Sequence, residues 1–359
     1  MPRLDSFLRI VAEQQASDLH FHSGSVPVIR YDGELLDIPF RVLTADESAR
    51  FIREVLTPDQ WARLETERQL DFLYTLPGVG RFRGNAFFQN QGPGAVLRVI
   101  PDDLPTIDQL QLPPVLKKLT QLRNGLVVVT GPTGSGKTTT LAAMVHEINR
   151  TSQRHVITVE DPIEFVHAPV RSVITQREVG RHVESFAAGL RSALREAPDV
   201  LVVGEMRDPE TVALALSASE TGVLVFGTLH TNSAGKAVDR IVDASPVDTR
   251  DQVRGLLSVL LRAVIAQQLV KRMNADGRIA AAEVLLQSYA VSNMIREGKT
   301  HQIGGYLDTA SFDGSGMQSL DHCLFQYVMA AIVSLEEALT VADRPDLLRE
   351  RVAALPEDA

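Results

Sequence analysis

The sequence is poor in cysteine, in aromatic side chains and in excess positive charge. Its 359 residues include one cysteine, Cys323, and 5% aromatic residues, and 36 basic side chains stand against 45 acidic ones, a formal charge of −9. A single cysteine excludes a disulfide framework and any Cys-x-x-Cys zinc or redox site, which favours a reducing compartment. The negative balance argues against non-specific DNA binding as the main activity, because phosphate neutralisation needs a basic surface.

Long apolar runs are also missing. The two most apolar later stretches, residues 256–270 and 323–335, are shorter than the roughly 20 residues of a spanning helix, and we expect buried helices there. The first residues place Leu4, Phe7, Leu8 and Val11 at helical spacing between charged side chains. This spacing predicts an amphipathic helix rather than a signal peptide. Any membrane attachment would then depend on a partner.

The pattern of turns and apolar runs divides the chain into domains. Residues 1–100 alternate a helix, a helical stretch near 45–64, short strands and turns, which predicts a small α+β domain. Residues 101–115 form a predicted linker, because four prolines stiffen the connection and end regular elements. Residues 116–359 are predicted to form a second, larger domain with a helical C-terminal part and a charged, partly frayed end from 343.

Four apolar runs in this second part predict buried parallel strands. They alternate with helical segments, the pattern of a doubly wound α/β domain. Beyond residue 246 the pattern is mostly helical, with one short predicted strand at 279–284. The four runs lie at residues 126–129, 156–159, 200–203 and 223–227.

A phosphate-binding loop follows the first run. Residues 131–138 read GPTGSGKT, the G-x-x-x-x-G-K-[ST] pattern between a strand and a helix. Glycines let backbone N–H groups turn inward around phosphates, the lysine reaches the β and γ oxygens, and the hydroxyl after it is a Mg²⁺ ligand. We predict that ATP and Mg²⁺ bind here. The predicted nucleotide-binding residues are Gly131, Thr133, Gly134, Ser135, Gly136, Lys137, Thr138 and Thr139.

Two acids and a histidine follow the other runs. Glu205 comes after residues 200–203, as in a Walker B segment with Glu in place of Asp, and is predicted to hold Mg²⁺ together with Thr138. Glu160 ends the run at 156–159 and could accept a proton from the attacking water or align it. An acid at the end of a strand is often only the N-cap of the next helix, without a catalytic role. Two such acids in one P-loop domain favour the catalytic interpretation. His230 could sense the γ-phosphate, although a histidine beside a strand is more often structural.

The order and spacing of several segments resemble the secretion ATPase superfamily that powers type IV pili and type II secretion. The core segments are GPTGSGKTTT, ITVEDPIEF, RSALREAPDVLVVGEMRDPET and LVFGTLHTNSA. Further segments are similar to the retraction branch, the PilT and PilU kinds: ASDLH, GRFRGNAFFQNQGPGAVLRVIP, AVSNMIREGK and GMQSLD. The likeness runs from about residue 4 to residue 335.

The resemblance implies a RecA-like P-loop ATPase domain, of α/β class, joined to a smaller N-terminal PAS-like α+β domain. It implies a homo-hexameric ring with ATP between subunits. Glu160 stands at the position of the catalytic glutamate, Glu205 in the Walker B segment and His230 in the His box. Arginines of the N-terminal domain would reach the nucleotide phosphates, since guanidinium forks pair with phosphate oxygens. Those arginines are Arg81, Arg83 and Arg98.

The expected function follows from the branch. Relatives that extend pili or drive type II secretion carry an additional N-terminal domain and a tetracysteine zinc site, whereas this sequence starts with the PAS-like part. We therefore expect a Mg²⁺-dependent ATPase that powers type IV pilus retraction and twitching motility. It would act at the cytoplasmic face of the inner membrane, on a platform protein and with other pilus ATPases.

Three alternatives stay open at this point. Ser292 stands where the family's retraction motif has an arginine, which also fits an accessory ATPase of the PilU kind or a divergent copy. A RecA-like nucleic-acid motor is a second alternative, but it would need a basic, aromatic-bearing groove. A ring that binds ATP without hydrolysing it is the third, and the presence of Lys137, Thr138, Glu160 and Glu205 argues against it.

Overall fold

Two β-sheets organise the described residues, one in each of two units, Met1–Asp103 and Leu104–Ala359. The computed structural model describes residues 2–31, 33–100, 104–273 and 277–354. In the first unit the helices are α1 (Leu4–Glu13), α2 (Ala45–Val55) and α3 (Pro58–Glu67). The strands are β1 (Asp18–His22), β2 (Val28–Tyr31), β3 (Glu34–Asp37), β4 (Gln69–Leu76), β5 (Gly80–Gln89) and β6 (Gly92–Ile100).

The first unit is an antiparallel sheet with helices packed on it. Its strand order is β3-β2-β1-β6-β5-β4, and every neighbouring pair is antiparallel. The predicted amphipathic helix is confirmed as α1, whose apolar side chains join the core around Phe21, Phe82 and Leu97. The helical stretch predicted near 45–64 is two helices. The break arises because Thr57 caps the N-terminus of α3 and Pro58 occupies its first turn.

The second unit contains eleven α-helices and seven strands in its described residues. The helices are α4 (Val115–Thr120), α5 (Lys137–Thr151), α6 (Phe186–Ala193), α7 (Pro209–Glu220), α8 (Ala234–Asp243), α9 (Arg250–Leu260), α10 (Tyr289–Arg296), α11 (Ile303–Ala310), α12 (Leu320–Met329), α13 (Leu335–Val341) and α14 (Pro345–Ala353). The strands are β7 (Gly125–Thr130), β8 (His155–Glu160), β9 (Val173–Glu178), β10 (Val200–Val203), β11 (Leu224–Leu229), β12 (Leu261–Lys271) and β13 (Arg278–Leu286).

The sheet of the second unit is parallel except at one edge. Its order is β13-β12-β7-β11-β10-β8-β9, and only β13 pairs antiparallel among the described strands. Leu126 and Val128 pack in one apolar core, while Val127 and Val129 pack in another, because alternate side chains of a strand point to opposite faces. Helices cover both faces, and the four predicted parallel strands are confirmed.

The carboxyl ends of β7, β11, β10 and β8 lie at the same edge of this sheet, since these neighbouring strands run parallel. In an open α/β sheet, ligands bind outside this edge. The connections that leave the four strands carry the phosphate-binding loop and the residues predicted to act with it. The fold therefore brings four separate parts of the sequence to one place.

Two predictions of secondary structure are wrong. Residues 261–271 form strand β12, not part of a buried helix; they hydrogen-bond to β7 on one side and β13 on the other, and a short apolar run does not reveal such partners. The end predicted to fray from 343 forms α14, because Leu348 is buried and anchors it; residues 355–359 lie outside the described residues. The stretch at 323–335, where buried helix is also expected, covers most of α12 and the first residue of α13, with a break between them.

Residues 104–115 of the predicted linker belong to the second unit. Ile107 and Leu112 are buried in its core, and Val115 begins α4. Residues 101–103 lie outside the described residues. None of the helices in the described ranges is both long enough and apolar enough to span a bilayer.

Candidate active site

The phosphate-binding loop connects the buried strand β7 to helix α5. Gly131, Gly134 and Gly136 have φ values of +148°, +79° and +86°, which L side chains rarely adopt. A Cβ built on Gly134 meets nothing within 4 Å, so the space beside this residue is open. Lys137, at the first position of α5, points back into the loop: its Nζ donates to the carbonyl oxygens of Gly131 at 2.8 Å and Pro132 at 2.9 Å.

Gln267 supports this loop from the neighbouring strand β12. Its Nε2 donates to the carbonyl oxygen of Ser135 at 2.7 Å, and its Oε1 accepts from Thr140 Oγ1 at 2.9 Å. Ser135 Oγ is buried, and none of the described residues hydrogen-bonds to it. A buried hydroxyl without a partner fits a loop that holds an anion, because an unpaired buried polar group costs free energy.

Glu160 ends β8 with its carboxylate held from one side. Thr158 Oγ1 donates to its Oε1 at 2.6 Å, and Gln176 Nε2 donates to the same atom at 3.1 Å. Burial raises the pKa of Glu160, the two hydrogen bonds lower it, and the charges of Glu164 and Glu178 raise it; the pKa lies above its ordinary value as a result. A carboxylate with a raised pKa in a cleft is suited to accept a proton.

Glu205 and His230 connect the tips of β10 and β11 to the loop lysine. His230 Nε2 lies 3.1 Å from Glu205 Oε1, and Lys137 Nζ lies 3.5 Å from His230 Nδ1. The ammonium of Lys137 can only donate, so His230 Nδ1 accepts this hydrogen bond. The other ring nitrogen, Nε2, is then the N–H that donates to Glu205. Arg207 also forms an ion pair with Glu205. Burial lowers the pKa of Lys137, and the charge of Glu205 partly opposes this.

One cavity joins the residues predicted to hold Mg²⁺. Thr138, Glu160, Glu205 and Arg207 line it, together with Asp161. Mg²⁺ prefers oxygen ligands. The hydroxyl of Thr138 and the carboxylate of Glu205, beside the phosphate-binding loop, supply such ligands. The residues present therefore fit a magnesium nucleotide. The predicted binding residues of the loop, both predicted acids and the predicted histidine all lie at this edge.

The three predicted arginines lie in the first unit and share one face of its sheet. Arg81 and Arg83 alternate along β5, and Arg83 is directly opposite Arg98 on β6. Asp18 pairs with Arg98, whose Nε lies 2.7 Å from its carboxylate. Burial raises the pKa of Asp18, but hydrogen bonds from Ser17 and Arg98 and the charge of Arg98 outweigh burial, so that this pKa lies below its ordinary value.

The family model described as type II/IV secretion system protein matches residues 2–303. The chain belongs to this family. It is 45% identical over 343 residues to the type IV pilus retraction ATPase PilT of Pseudomonas aeruginosa, an alignment that covers 96% of this chain and 99% of the relative. It is 47% identical over 312 residues to a twitching motility protein of Neisseria gonorrhoeae, an alignment that covers 87% of this chain and 83% of the relative.

A solved structure supports the same relationship. The crystal structure of the pilus retraction motor PilT with bound ADP matches with a TM-score of 0.88 and 41% sequence identity, and covers 96% of this chain and 98% of that one. The resemblance and the fold class predicted from the motifs are confirmed. In this secretion family member the P-loop unit carries the acids and the histidine, and the other unit carries the arginines.

Sequence reasoning missed several side chains that hold the predicted residues in place. Arg207 and Asp18 lie within the quoted segments VVGEMRDPET and ASDLH, so their position in family motifs was a usable signal. Gln267 was visible as a polar residue inside an apolar run. Thr158 lies within the quoted segment ITVEDPIEF, whereas Gln176 gave no signal, because its contact with Glu160 depends on the pairing of β8 with β9.

Proposed function

We propose that this chain is the ATP-hydrolysing subunit of a motor that powers type IV pilus retraction and twitching motility. One observation carries the hydrolytic part: Glu160, Glu205 and His230, at the ends of three strands, lie beside the phosphate-binding loop that carries Lys137 after a fourth. The mechanical part is supported by the PilT and twitching motility relatives, which align over most of this chain.

In the proposed reaction the loop amides and Lys137 hold the phosphates of ATP. Thr138 and Glu205 would hold Mg²⁺, which when bound neutralises charge on the phosphate oxygens. Water attacks the γ-phosphorus, the bond to the leaving ADP oxygen breaks, and the proton of the water passes to Glu160. His230 contacts both Lys137 and Glu205, so a change of charge at the phosphates would alter its hydrogen bonds.

The proposed assembly is a homo-hexamer with ATP between subunits. In it the arginines of the first unit would add positive charge to the phosphates, where guanidinium groups stabilise the transferring phosphoryl group. The motor would act at the cytoplasmic face of the inner membrane, on the pilus platform protein and beside other pilus ATPases. The predicted arginines are Arg81, Arg83 and Arg98.

Glu160→Gln tests the hydrolytic proposal. The amide keeps the size of the side chain but cannot accept the proton, so we expect ATP binding to persist while phosphate release falls by at least about 100-fold. Fluorescent nucleotide binding and phosphate release on the purified protein measure the two effects. Lys137→Ala is the matched variant that should lose binding. Turnover at the wild-type rate in Glu160→Gln would remove Glu160 from the reaction.

Gene disruption tests the mechanical proposal. Cells without a retraction motor keep assembling pili, so we expect more surface pili together with loss of surface movement. Pilus counts by electron microscopy and twitching-zone diameters measure this. Bald cells would instead indicate an extension motor, and unchanged pili would contradict a role in this system.

A further inference from the structure

Two side chains outside the predicted set bind the carboxylate of Glu160 from the same side. Thr158 lies two residues earlier on β8 and on the same face of that strand, and its hydroxyl donates to Glu160 Oε1. Gln176 is directly opposite Thr158 on the parallel strand β9, and its amide donates to the same oxygen. Both donors therefore converge on one of the two carboxylate oxygens.

The amide of Gln176 is itself fixed by the segment that follows β8. Its Nε2 also donates to the carbonyl oxygen of Phe165 at 2.8 Å, and its Oε1 accepts from the backbone N–H of His167 at 2.8 Å. A carbonyl oxygen only accepts and an N–H only donates, so one orientation of the amide satisfies both contacts. The direction of the hydrogen bond to Glu160 is thereby set by backbone groups.

The other oxygen of Glu160, Oε2, is not held in this way. Among the described residues, none donates a hydrogen bond to Oε2, and Glu160 lines the cavity that contains Thr138 and Glu205. A carboxylate with one oxygen held by two donors presents the lone pairs of the second oxygen in a constant direction. A general base needs this geometry toward the water that it deprotonates.

We infer that Thr158 and Gln176 are positioning residues, which orient Glu160 so that its second oxygen accepts the proton of the attacking water. The inference rests on the proposed function, in which Glu160 is the base. The same hydrogen bonds favour the charged carboxylate over the neutral acid, in opposition to burial. The charged groups around the site are Asp161, Glu164, Glu178, Glu205 and Arg207.

Thr158→Val tests the inference on the full chain. Valine has nearly the shape of threonine and suits a strand, so the variant removes the hydroxyl with little change in packing. We expect kcat for ATP hydrolysis to fall about tenfold, the effect of losing one hydrogen bond to a charged group, with KM and nucleotide affinity unchanged. Thr158→Ser keeps the hydroxyl and should restore kcat to within about twofold.

Thr120→Val is the matched control. Thr120 is as buried as Thr158 and donates to the carbonyl oxygen of Lys117 at 2.7 Å, away from the site, so its replacement should leave kcat unchanged. If Thr158→Val does not fold, Gln176→Glu replaces the second donor by an acceptor and should also lower kcat with KM unchanged. Steady-state kinetics and thermal unfolding of each variant supply the comparison.

Three outcomes overturn the inference. They are a wild-type kcat in Thr158→Val, a serine variant as slow as the valine variant, and a loss of kcat accompanied by equal losses in affinity and thermal stability. The Glu160→Gln variant shows whether such a result contradicts only the positioning role or also the proposed role of Glu160. If Glu160→Gln is inactive while Thr158→Val is normal, only the positioning role is wrong; if Glu160→Gln hydrolyses ATP normally, the proposed role of Glu160 is wrong.

Discussion

At the scale of single residues, Glu283 is a buried acid that lies near other acidic side chains. It is buried on β13 and accepts a hydrogen bond from the backbone N–H of Ala234 at 2.6 Å, at the start of α8. Burial raises its pKa to about 7 from 4.5; the Ala234 bond lowers the pKa, and the charges of Asp343, Asp308 and Asp321 raise it. This carboxyl group gives the folded protein a pH dependence near neutrality.

The predicted consequence is a loss of stability as pH rises. Because the folded pKa of Glu283 lies above the unfolded value, the folded state binds the proton more tightly, and the free energy of unfolding falls between pH 4.5 and about 7. Glu283→Gln keeps an acceptor for Ala234 but cannot ionise. Relative to this variant, the free energy of unfolding of the wild type should fall by about 3 kcal/mol as the pH rises across that range. Urea unfolding at a series of pH values measures the difference.

Glu220→Gln is the control for this prediction. Glu220 is exposed at the end of α7, so its replacement should leave the pH dependence of unfolding unchanged. If the free energy of unfolding depends on pH in the same way in the wild type and in Glu283→Gln, Glu283 does not ionise between pH 4.5 and about 7.

At the scale of elements, two glycines of the phosphate-binding loop have different reasons to be glycine. A Cβ on Gly131 would lie 2.2 Å from the backbone carbonyl oxygen of Gln267, while a Cβ on Gly134 meets nothing within 4 Å. Both residues have positive φ. Gly131 is therefore constrained by close packing against β12, and Gly134 only by its backbone conformation.

We predict that Gly131→Ala is far more damaging than Gly134→Ala. The first forces the loop away from β12 and should cost at least about 3 kcal/mol of stability or prevent folding, whereas the second should cost about 1 kcal/mol from the left-handed backbone. Thermal and urea unfolding of the two variants measure the costs. Similar losses in both variants would contradict the packing argument.

How much of these elements could be predicted depends on whether the signal is local. Four strands of the second unit are continuous apolar runs bounded by polar or turn-forming residues, so the sheet and its reactive edge could be placed from the sequence. These strands end near Thr130, Glu160, Val203 and Leu229. Strand β12 could not, because its structure depends on pairing with β7 and β13. The contact between Gln176 and Glu160 was hidden for the same reason: it depends on the register of two strands.

At the scale of the whole molecule, the first unit has an apolar core of its own. Leu8, Leu19, Phe21, Phe82 and Leu97 are almost completely buried within it, and its sheet needs no strand from the second unit. A unit with its own core and a complete sheet meets the usual conditions for independent folding. This division allows the arginine-bearing unit to be studied separately.

We predict that residues 1–103 fold when produced alone. The fragment should show a circular dichroism spectrum of mixed helix and strand and a single cooperative thermal transition. A point variant gives the control: Phe21→Ala, which removes a fully buried ring, should abolish the transition or lower its midpoint strongly. A fragment that shows no cooperative transition would mean that the first unit depends on the second.

The reactive groups come from the tips of adjacent strands, and this origin has an evolutionary consequence. Backbone hydrogen bonds hold neighbouring strands about 4.8 Å apart, so the separations between Gly131, Glu160, Glu205 and His230, at the ends of four neighbouring strands, depend on main-chain pairing more than on the helices that cover the sheet. Mutations that accumulate in those outer helices can change thermal tolerance while the catalytic spacing is preserved. Sequences can therefore diverge widely on the outside of this domain and still hydrolyse the same substrate.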